Sequence, residues 1–545
     1  MGRVTKYKQL YPWMGGLATS VDPVILDPQK LIVADNIIFT NSATRKKRGG
    51  QDHYNSTPIG GATAAENVVY CTPYWSTKSS TKVESFVCAT TAGKVYRSPF
   101  NGTWTSFGGT LTLAVSHGGV TSDVIQEDLV LGIRGSGVPK VWENQNTGVN
   151  LVNLTATSGS LPFSSAWIVK TFLDRLFVSG DPAFPDRIYV SRVGDYQRWT
   201  ASGAAGTAIT LEVGTGDGDP TGITAIFPGT GADNVLYACK RRHIYRIDCS
   251  DPDQTNWSIK LVSNQIGCLN PNVVATIDLA DVIFASDRGV HTLNQVLTTT
   301  AVVEGDFLSF PIQEDYRSVI NTADRDKMSG VYMPSLNSYL LSCRRSGQTD
   351  FETVYGYNVE LKEWFRWTSV PCNYLRSRFN KTTGADELYA TDSDGYVNIL
   401  QQDELNDFGN PIVTRLKSAF ISPQEVPFYE NQFTNLACLY RARDNSTFRV
   451  YYSVDGLSQQ TVTFEQRIAG GNTLGTTLLG PSFILGQIQS IKPVWNHLNI
   501  EEGNSIQLTF EQDGLNEDFE LFGIFIEYEM DEEAQNAFRS PLYNS

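Results

Sequence analysis

One pattern limits this chain more than any other: a short apolar or alternating run, a tight turn rich in Gly, Asn or Asp, and a second short run, returning about every 40–60 residues. Val83–Thr90 and Lys94–Ser98 flank the turn Thr91-Ala92-Gly93, and the order repeats at Leu129–Ile133 with Val138–Trp142 and at Asp174–Gly180 with Arg187–Ser191. Asn234–Cys239 with His243–Ile247, Asp281–Ser286 with Val290–Leu293, Ser338–Cys343 with Thr353–Tyr357, and Glu387–Thr391 with Tyr396–Ile399 continue it. Period-two strands bounded by turn residues are all-β punctuation, and helical periodicity is nearly absent. Trp104, Trp142, Trp199, Trp257 and Trp364 end or follow five of these hairpins, where an aromatic can pack between neighbouring sheets. Radial repetition of small sheets leaves only short edges, so the pattern predicts an all-β chain with a β-propeller of six or seven blades over residues 60–405. Unrelated hairpins distributed among β-sandwiches are the competing arrangement.

Beyond Asp407-Phe408-Gly409-Asn410-Pro411 the strands lengthen, as in Phe448–Val454, Ser505–Phe510 and Phe522–Tyr528. Residues 412–530 are therefore expected to form a β-sandwich-like domain. Residues 1–60 read as a lead-in joining the propeller and contacting neighbours, and 531–545 as a C-terminal tail.

Charge narrows the function classes. The 545 residues carry 43 Lys+Arg against 58 Asp+Glu, a formal charge of −15, and only 19% are charged where soluble proteins average about 25%. Neither a disordered chain nor a duplex-binding surface fits: phosphate recognition needs clustered cations, and a net negative wall repels the backbone. The charge is also polarised. Residues 1–50 hold eight basic side chains against three acidic ones, and between Lys492 and Arg539 lie twelve carboxylates and no base. Ordinary solvated surface would account for this, and so would contacts between copies with an acidic lining. No run of about 18 apolar residues is present, so no membrane-spanning helix is expected. The N-terminus lacks an apolar h-region, so no secretory signal is expected either. Eight cysteines without a C-x-x-C pair or zinc spacing are expected to be reduced and buried.

Familiar chemistry is missing. His53, His117, His243, His291 and His497 stand far apart, and there is no H-E-x-x-H, G-x-S-x-G or Walker loop. No catalytic, cofactor or metal residue is assigned, and no enzymatic activity is expected. The loop Gly214-Thr215-Gly216-Asp217-Gly218-Asp219-Pro220 could ligate calcium, but it lacks the EF-hand's further ligands, and Asp and Gly are what a tight turn requires. Asp217 and Asp219, with Asp531, Glu532 and Glu533, are carried as acidic turn or lumen candidates. The basic run Arg45-Lys46-Lys47-Arg48 invites a nucleic-acid reading, against a solvated hairpin end or a partner salt-bridge site.

Leu10-Tyr11-Pro12-Trp13-Met14-Gly15-Gly16-Leu17, then Ala34-Asp35-Asn36-Ile37-Ile38-Phe39 and Arg48-Gly49-Gly50, resembles the N-terminal segment of short-tailed bacteriophage tail propeller proteins. Asp174–Gly180, Pro185–Ser191 and Gly267–Pro271 with Ile283–Val290 extend the likeness. The resemblance covers roughly residues 10–50 and 170–295. It implies a tail nozzle or hub, also called a stabilisation protein: a ring, usually hexameric, below the portal and adaptor, around the DNA exit channel and facing fibres or tailspikes. Made in the host cytoplasm and ending in the virion tail, such a ring would pass double-stranded DNA without binding it. Its acidic wall would offer phosphates no trap. Head-to-tail contacts would set Arg45, Lys46, Lys47 and Arg48 against an acidic neighbour. The rival is a tail propeller that binds receptors or processes glycans. A cellular interaction platform is a third reading, weakened by blades without WD or kelch signatures.

Overall fold

The computed structural model describes residues 3–531 apart from 41–43, 79–82, 108–114, 144–149, 232–233, 278–280, 299–302, 424–429, 442–445 and 467–491. The chain divides into two units: His53–Gly356 with Ser369–Leu400, and Met1–Asp52 with Tyr357–Thr368 and Gln401–Ser545.

In the first unit seven antiparallel strand groups succeed one another among the described residues, each with its strands in chain order, five as separate sheets and two as parts of larger ones. Blade 1 runs Val68–Ser76, Val83–Thr90, Val95–Ser98 and Thr105–Ser106, and blade 2 runs Val120–Ile125, Asp128–Ile133, Lys140–Trp142 and Val152–Asn153. Blade 3 comprises Ile168–Phe172, Arg175–Ser179, Arg187–Val190 and Ile209–Glu212, and blade 4 comprises Ala225–Pro228, Val235–Cys239, Ile244–Asp248 and Ser258–Ser263. Blade 5 has three strands, Ala275–Ile277, Asp281–Ala285 and Val290–Thr292. Blade 6 opens with Ser329–Met333, Ser338–Cys343 and Thr353–Asn358, and blade 7 with Tyr374–Asn380, Ala385–Thr391 and Val397–Gln402. The first strands of all seven line one central cavity, through Tyr70, Ser122, Lys170, Ile226, Thr276, Val331 and Arg376. The fold is a β-propeller, and every hairpin found in the sequence is the second and third strand of a blade.

Apolar faces meet between blades. Val130 and Val141 of blade 2 pack with Val178 and Tyr189 of blade 3, and Phe177 and Ile188 of blade 3 with Leu236 and Ile247 of blade 4. Phe86, Trp142 and Tyr389 join blades 1, 2 and 7. Full burial of such side chains is worth ~1.5–3 kcal/mol each, which no isolated hairpin could collect. Hydroxyls then satisfy carbonyls of the next blade's entry segment: Thr121 Oγ1 donates to Trp167 O, and Thr224 Oγ1 to Cys268 O at 2.7 Å. The approach is close enough that a Cβ on Gly132 would lie 1.9 Å from Trp167 O. The ring closes where Asn373 Nδ2 donates to Val68 O at 3.0 Å and the Tyr70 and Tyr374 rings meet at 4.6 Å. All eight cysteines are free and buried.

The second unit departs from the expected boundaries, because the lead-in folds with the C-terminal strands. Arg3–Leu10 pairs antiparallel along its length with Glu520–Asp531, from Arg3↔Asp531 to Leu10↔Ile524. The same sheet runs in the order Ile37–Phe39, Arg45–Lys47, Glu520–Asp531, Asn431–Arg441, Lys492–Gly503. A second run of strands passes from Glu363–Thr368 through Leu31–Asp35, Thr414–Ser418, Ile506–Gln512 and Ser446–Val454 to Gln460–Gln466. Aromatics join the two layers, with Tyr440 edge-on to Phe448 at 4.8 Å and Trp13 against Phe510 at 5.5 Å. The unit is composite: residues from both ends of the sequence build it.

Tryptophan placement follows the expectation of core packing at Trp13, Trp142, Trp199, Trp364 and Trp367, all buried. Trp75 and Trp495 are the exceptions and stand exposed.

Candidate functional site

The segment after the second strand of each blade ends the apolar run with polar residues, and the ring brings these ends together. Arg134 follows Asp128–Ile133, Asp181 follows Arg175–Ser179 and Arg241 follows Val235–Cys239. With Trp167, Thr221 and Asp326 they line a cleft of about 390 Å³ on the propeller. The Arg134 guanidinium lies 4.1 Å from the centre of the Trp167 ring and 3.9 Å from Asp326, and burial lowers its pKa. Arg241 makes a bidentate pair with Asp287 through Nε at 2.6 Å and Nη2 at 2.7 Å. Burial opposes its charge, but Asp287 outweighs burial and raises the guanidinium's pKa. Asp181 is buried, with Oδ1 accepting from Ala183 N at 3.0 Å. Trp167 is itself buried with its ring face covered by Arg134, so the paired charges and Thr221 form the polar part of the cleft wall.

The acidic loop is a turn organised around a lysine. Lys240, wholly buried, places Nζ 2.8 Å from Asp186 Oδ1, 2.9 Å from Asp217 Oδ2 and 3.0 Å from Gly214 O. An ammonium thus occupies the place a cation would need. Burial works against ionisation of Asp217, but the Tyr245 hydroxyl at 2.6 Å, the Asp219 amide and Lys240 outweigh it and hold the pKa low. Asp219 caps the following residues, accepting from Thr221 and from Arg242 N. Among the described residues no group of three or more His, Cys, Asp or Glu is placed to hold a metal ion, and no helix is long and apolar enough to cross a membrane.

The basic run requires a correction. Arg45, Lys47 and Arg48 were expected at a subunit contact, but all three are buried within their own unit, and only Lys46 keeps partial exposure, 3.7 Å from Asp518. Period two explains this, since Arg45 and Lys47 point to one face of their strand and that face is covered. Arg45 stacks 4.2 Å over Trp13 and donates to Gly15 O and Gln29 O, and burial lowers its pKa to about 9. Lys47 Nζ donates to Gln512 Oε1 at 2.6 Å and Glu517 O at 3.0 Å. Arg48 forks onto Asp407 at 2.9 and 2.5 Å and reaches Asn36 Oδ1 at 3.0 Å. Of the acidic tail candidates, Asp531 ends the last strand, while Glu532 and Glu533 lie outside the described residues.

Sequence reasoning missed Lys240, Asp186, Arg241, Arg134 and Trp167. The signal was present: a charged residue within two positions of the end of the second strand in blades 2 to 5, at Arg134, Asp181, Lys240 and Asp287.

No family model matches the chain, and no curated protein matches it. Solved structures do. YCF48 bound to a D1 peptide is 13% identical over 37% of this chain, at a TM-score of 0.25, and the chain spans 57% of that protein. The BBS1N chain crystallised with ARL6DN is 13% identical, covering 65% of this chain and 96% of that one at a TM-score of 0.36. An exo-β-1,3-galactanase from Phanerochaete chrysosporium is 12% identical, covering 88% and 100% at a TM-score of 0.25. At these identities the likeness is one of fold. It nonetheless corrects the expectation that the chain has no enzymatic activity: an enzyme stands among the chains it resembles, so missing motifs are no ground for excluding catalysis.

Proposed function

We propose that the chain is a structural protein of a short-tailed phage virion, forming a homo-oligomeric, hexameric tail nozzle or hub around the DNA exit channel, used in tail assembly and genome ejection. Tail adaptor or portal-side proteins and fibres or tailspikes would be its neighbours. The observation that carries this is where the phage-like N-terminal residues lie. Trp13 is fully buried beneath Arg45. Asn36 adopts a positive φ of 58° and uses both side-chain atoms, accepting from Thr368 N at 2.9 Å and donating to Val413 O at 2.8 Å. Arg48 closes on Asp407. The residues that carry the resemblance to tail propellers are thus those that fix the composite unit.

The exposed aromatics of the sheet that holds the first strand support an assembly role. Tyr7 and Trp495, 60% and 45% exposed, meet edge to face at 6.0 Å, with Phe525 beside Trp495. Glu527 and Glu529 stand directly opposite Tyr7 and Thr5 on the same face. An exposed aromatic centre with a charged surround has the composition of a protein contact, and its acidity would not hold DNA. Negative-stain imaging with native mass measurement tests the proposal: a hexameric ring with an open channel supports it, and a monomer or trimer overturns it. The alternative, a tail propeller that binds or trims glycans, draws on the cleft at Trp167, Asp181 and Asp326. Polysaccharide retention or cleavage, lost in Trp167→Ala, would favour it.

A further inference from the structure

Beyond that function, the geometry points to a binding site for a small oxyanion on the propeller axis. The chain is strongly acidic, yet the seven first strands that surround the axis carry three bases, Lys170, Arg376 and Arg378, and one carboxylate, Asp123. Lys170 and Arg376 line the central cavity of about 390 Å³, together with Tyr70, Ser122 and Ser377. The single carboxylate is already engaged: Asp123 Oδ2 lies 2.9 Å from Lys170 Nζ and accepts from Thr171 N at 2.8 Å, while Oδ1 accepts from Val124 N at 2.9 Å. Arg378 leaves the axis, stacking 3.6 Å over Phe100 beside Glu387. Arg376 is different. Its guanidinium, half-buried in the cavity wall, makes no hydrogen bond or ion pair with any described residue.

Burial opposes the charge of Arg376, but neighbouring groups, Asp123 among them, outweigh burial and keep it charged. No carboxylate of the described residues sits on its donors, and its planar fork matches two oxygens of a phosphate or carboxylate. The neighbouring hydroxyls complete the arrangement. Tyr70 Oη and Ser122 Oγ share one hydrogen bond of 2.7 Å, so whichever accepts keeps its own proton to donate elsewhere. The cavity size falls in the range of small-ligand pockets. Because Arg376 belongs to blade 7, Tyr70 to blade 1, Ser122 to blade 2 and Lys170 to blade 3, an anion held there ties together the blades on either side of the ring closure.

Thermal unfolding of the full chain, titrated with inorganic phosphate at constant ionic strength against chloride, tests the site. A saturable rise of about 2 °C or more is expected with phosphate and not with chloride. Arg376→Gln should abolish the rise, read against its own unliganded midpoint. Arg378→Gln should keep the rise. Citrate in a parallel titration separates the sources: a larger rise than phosphate identifies a carboxylate ligand, a smaller one a phosphate. Absence of any rise with both anions, or its persistence in Arg376→Gln, overturns the assignment.

Discussion

Between the propeller blades apolar and aromatic side chains fill the interfaces, Phe177, Trp142, Tyr189 and Tyr389 among them, with Arg175 and the carboxylate-paired Lys240 buried toward the blade ends. The composite unit instead closes over three cations from one four-residue run, Arg45, Lys47 and Arg48. The difference follows from how each is assembled. A blade's hairpin partner is a few residues away and its neighbour repeats the same pattern, so apolar area is enough to place it. In the composite unit Arg3 pairs with Asp531 and Asp35 with Arg415, and no repeat fixes those registers. A buried cation with fixed acceptors tolerates one arrangement, at the expense of stability that an apolar residue would have supplied.

The largest test of this contrast is Arg48→Met. It strands Asp407 and should cost ~3–5 kcal/mol in urea unfolding, most of which the double variant Arg48→Met/Asp407→Leu should restore. Equal loss in both variants would remove the electrostatic explanation. Next come two pH tests of the same sign in separate pH windows, since burial lowers the pKa of both groups. Burial pushes Lys47 down to about 8, below its unfolded value, so the unfolded chain binds the proton more tightly between those values and stability rises with pH there. Relative to Lys47→Met, the parent should gain ~2 kcal/mol between pH 8 and 10.

In the propeller, burial pushes His291 down to about 3, with Nε2 2.8 Å from Ser286 Oγ and Phe307 edge-on at 4.5 Å. The unfolded chain takes up this proton first. Stability is therefore present above the unfolded pKa and lost as pH falls toward the folded one, by ~2 kcal/mol from pH 7 to pH 5. His291→Leu should flatten that part of the acid limb. The smallest effect is Thr224→Val, which leaves the Cys268 carbonyl without its hydroxyl donor between blades 4 and 5 and should lower stability by ~1–2 kcal/mol, read from the urea midpoint.

How much was legible in the sequence divides along the same line. All seven hairpins were visible because the second strands, such as Leu129–Ile133 and Val235–Cys239, are continuous apolar runs ending in turns. The first strands were not. Ala225–Pro228 and Ala275–Ile277 are short, and Val120–Ile125 and Tyr374–Asn380 carry polar and charged residues toward the axis, so no alternation marks them. The basic run misled because charge at a hairpin end ordinarily means solvent. Nothing local to Arg45-Lys46-Lys47-Arg48 shows that strands more than 450 residues later will cover it, as Gln512 covers Lys47. The acidic turn was legible as a turn, and its lysine was not, because Lys240 and Asp217 belong to different blades.

The pairing of the first strand with the last also sets an order in time. Arg3–Leu10 leaves the ribosome before any blade, yet its partner, Glu520–Asp531, is among the last described segments to be made. At roughly 5–20 residues per second the first strand waits about half a minute or more while the blades between them fold as their hairpins emerge. Its exposed edge is a ready template for pairing with another chain during that interval, and alternate charges at Arg3, Lys6 and Lys8 are the usual guard on such an edge. The composite unit is completed only once the C-terminal strand has been synthesised, so a chain cut short would carry a finished propeller and an unpaired first strand.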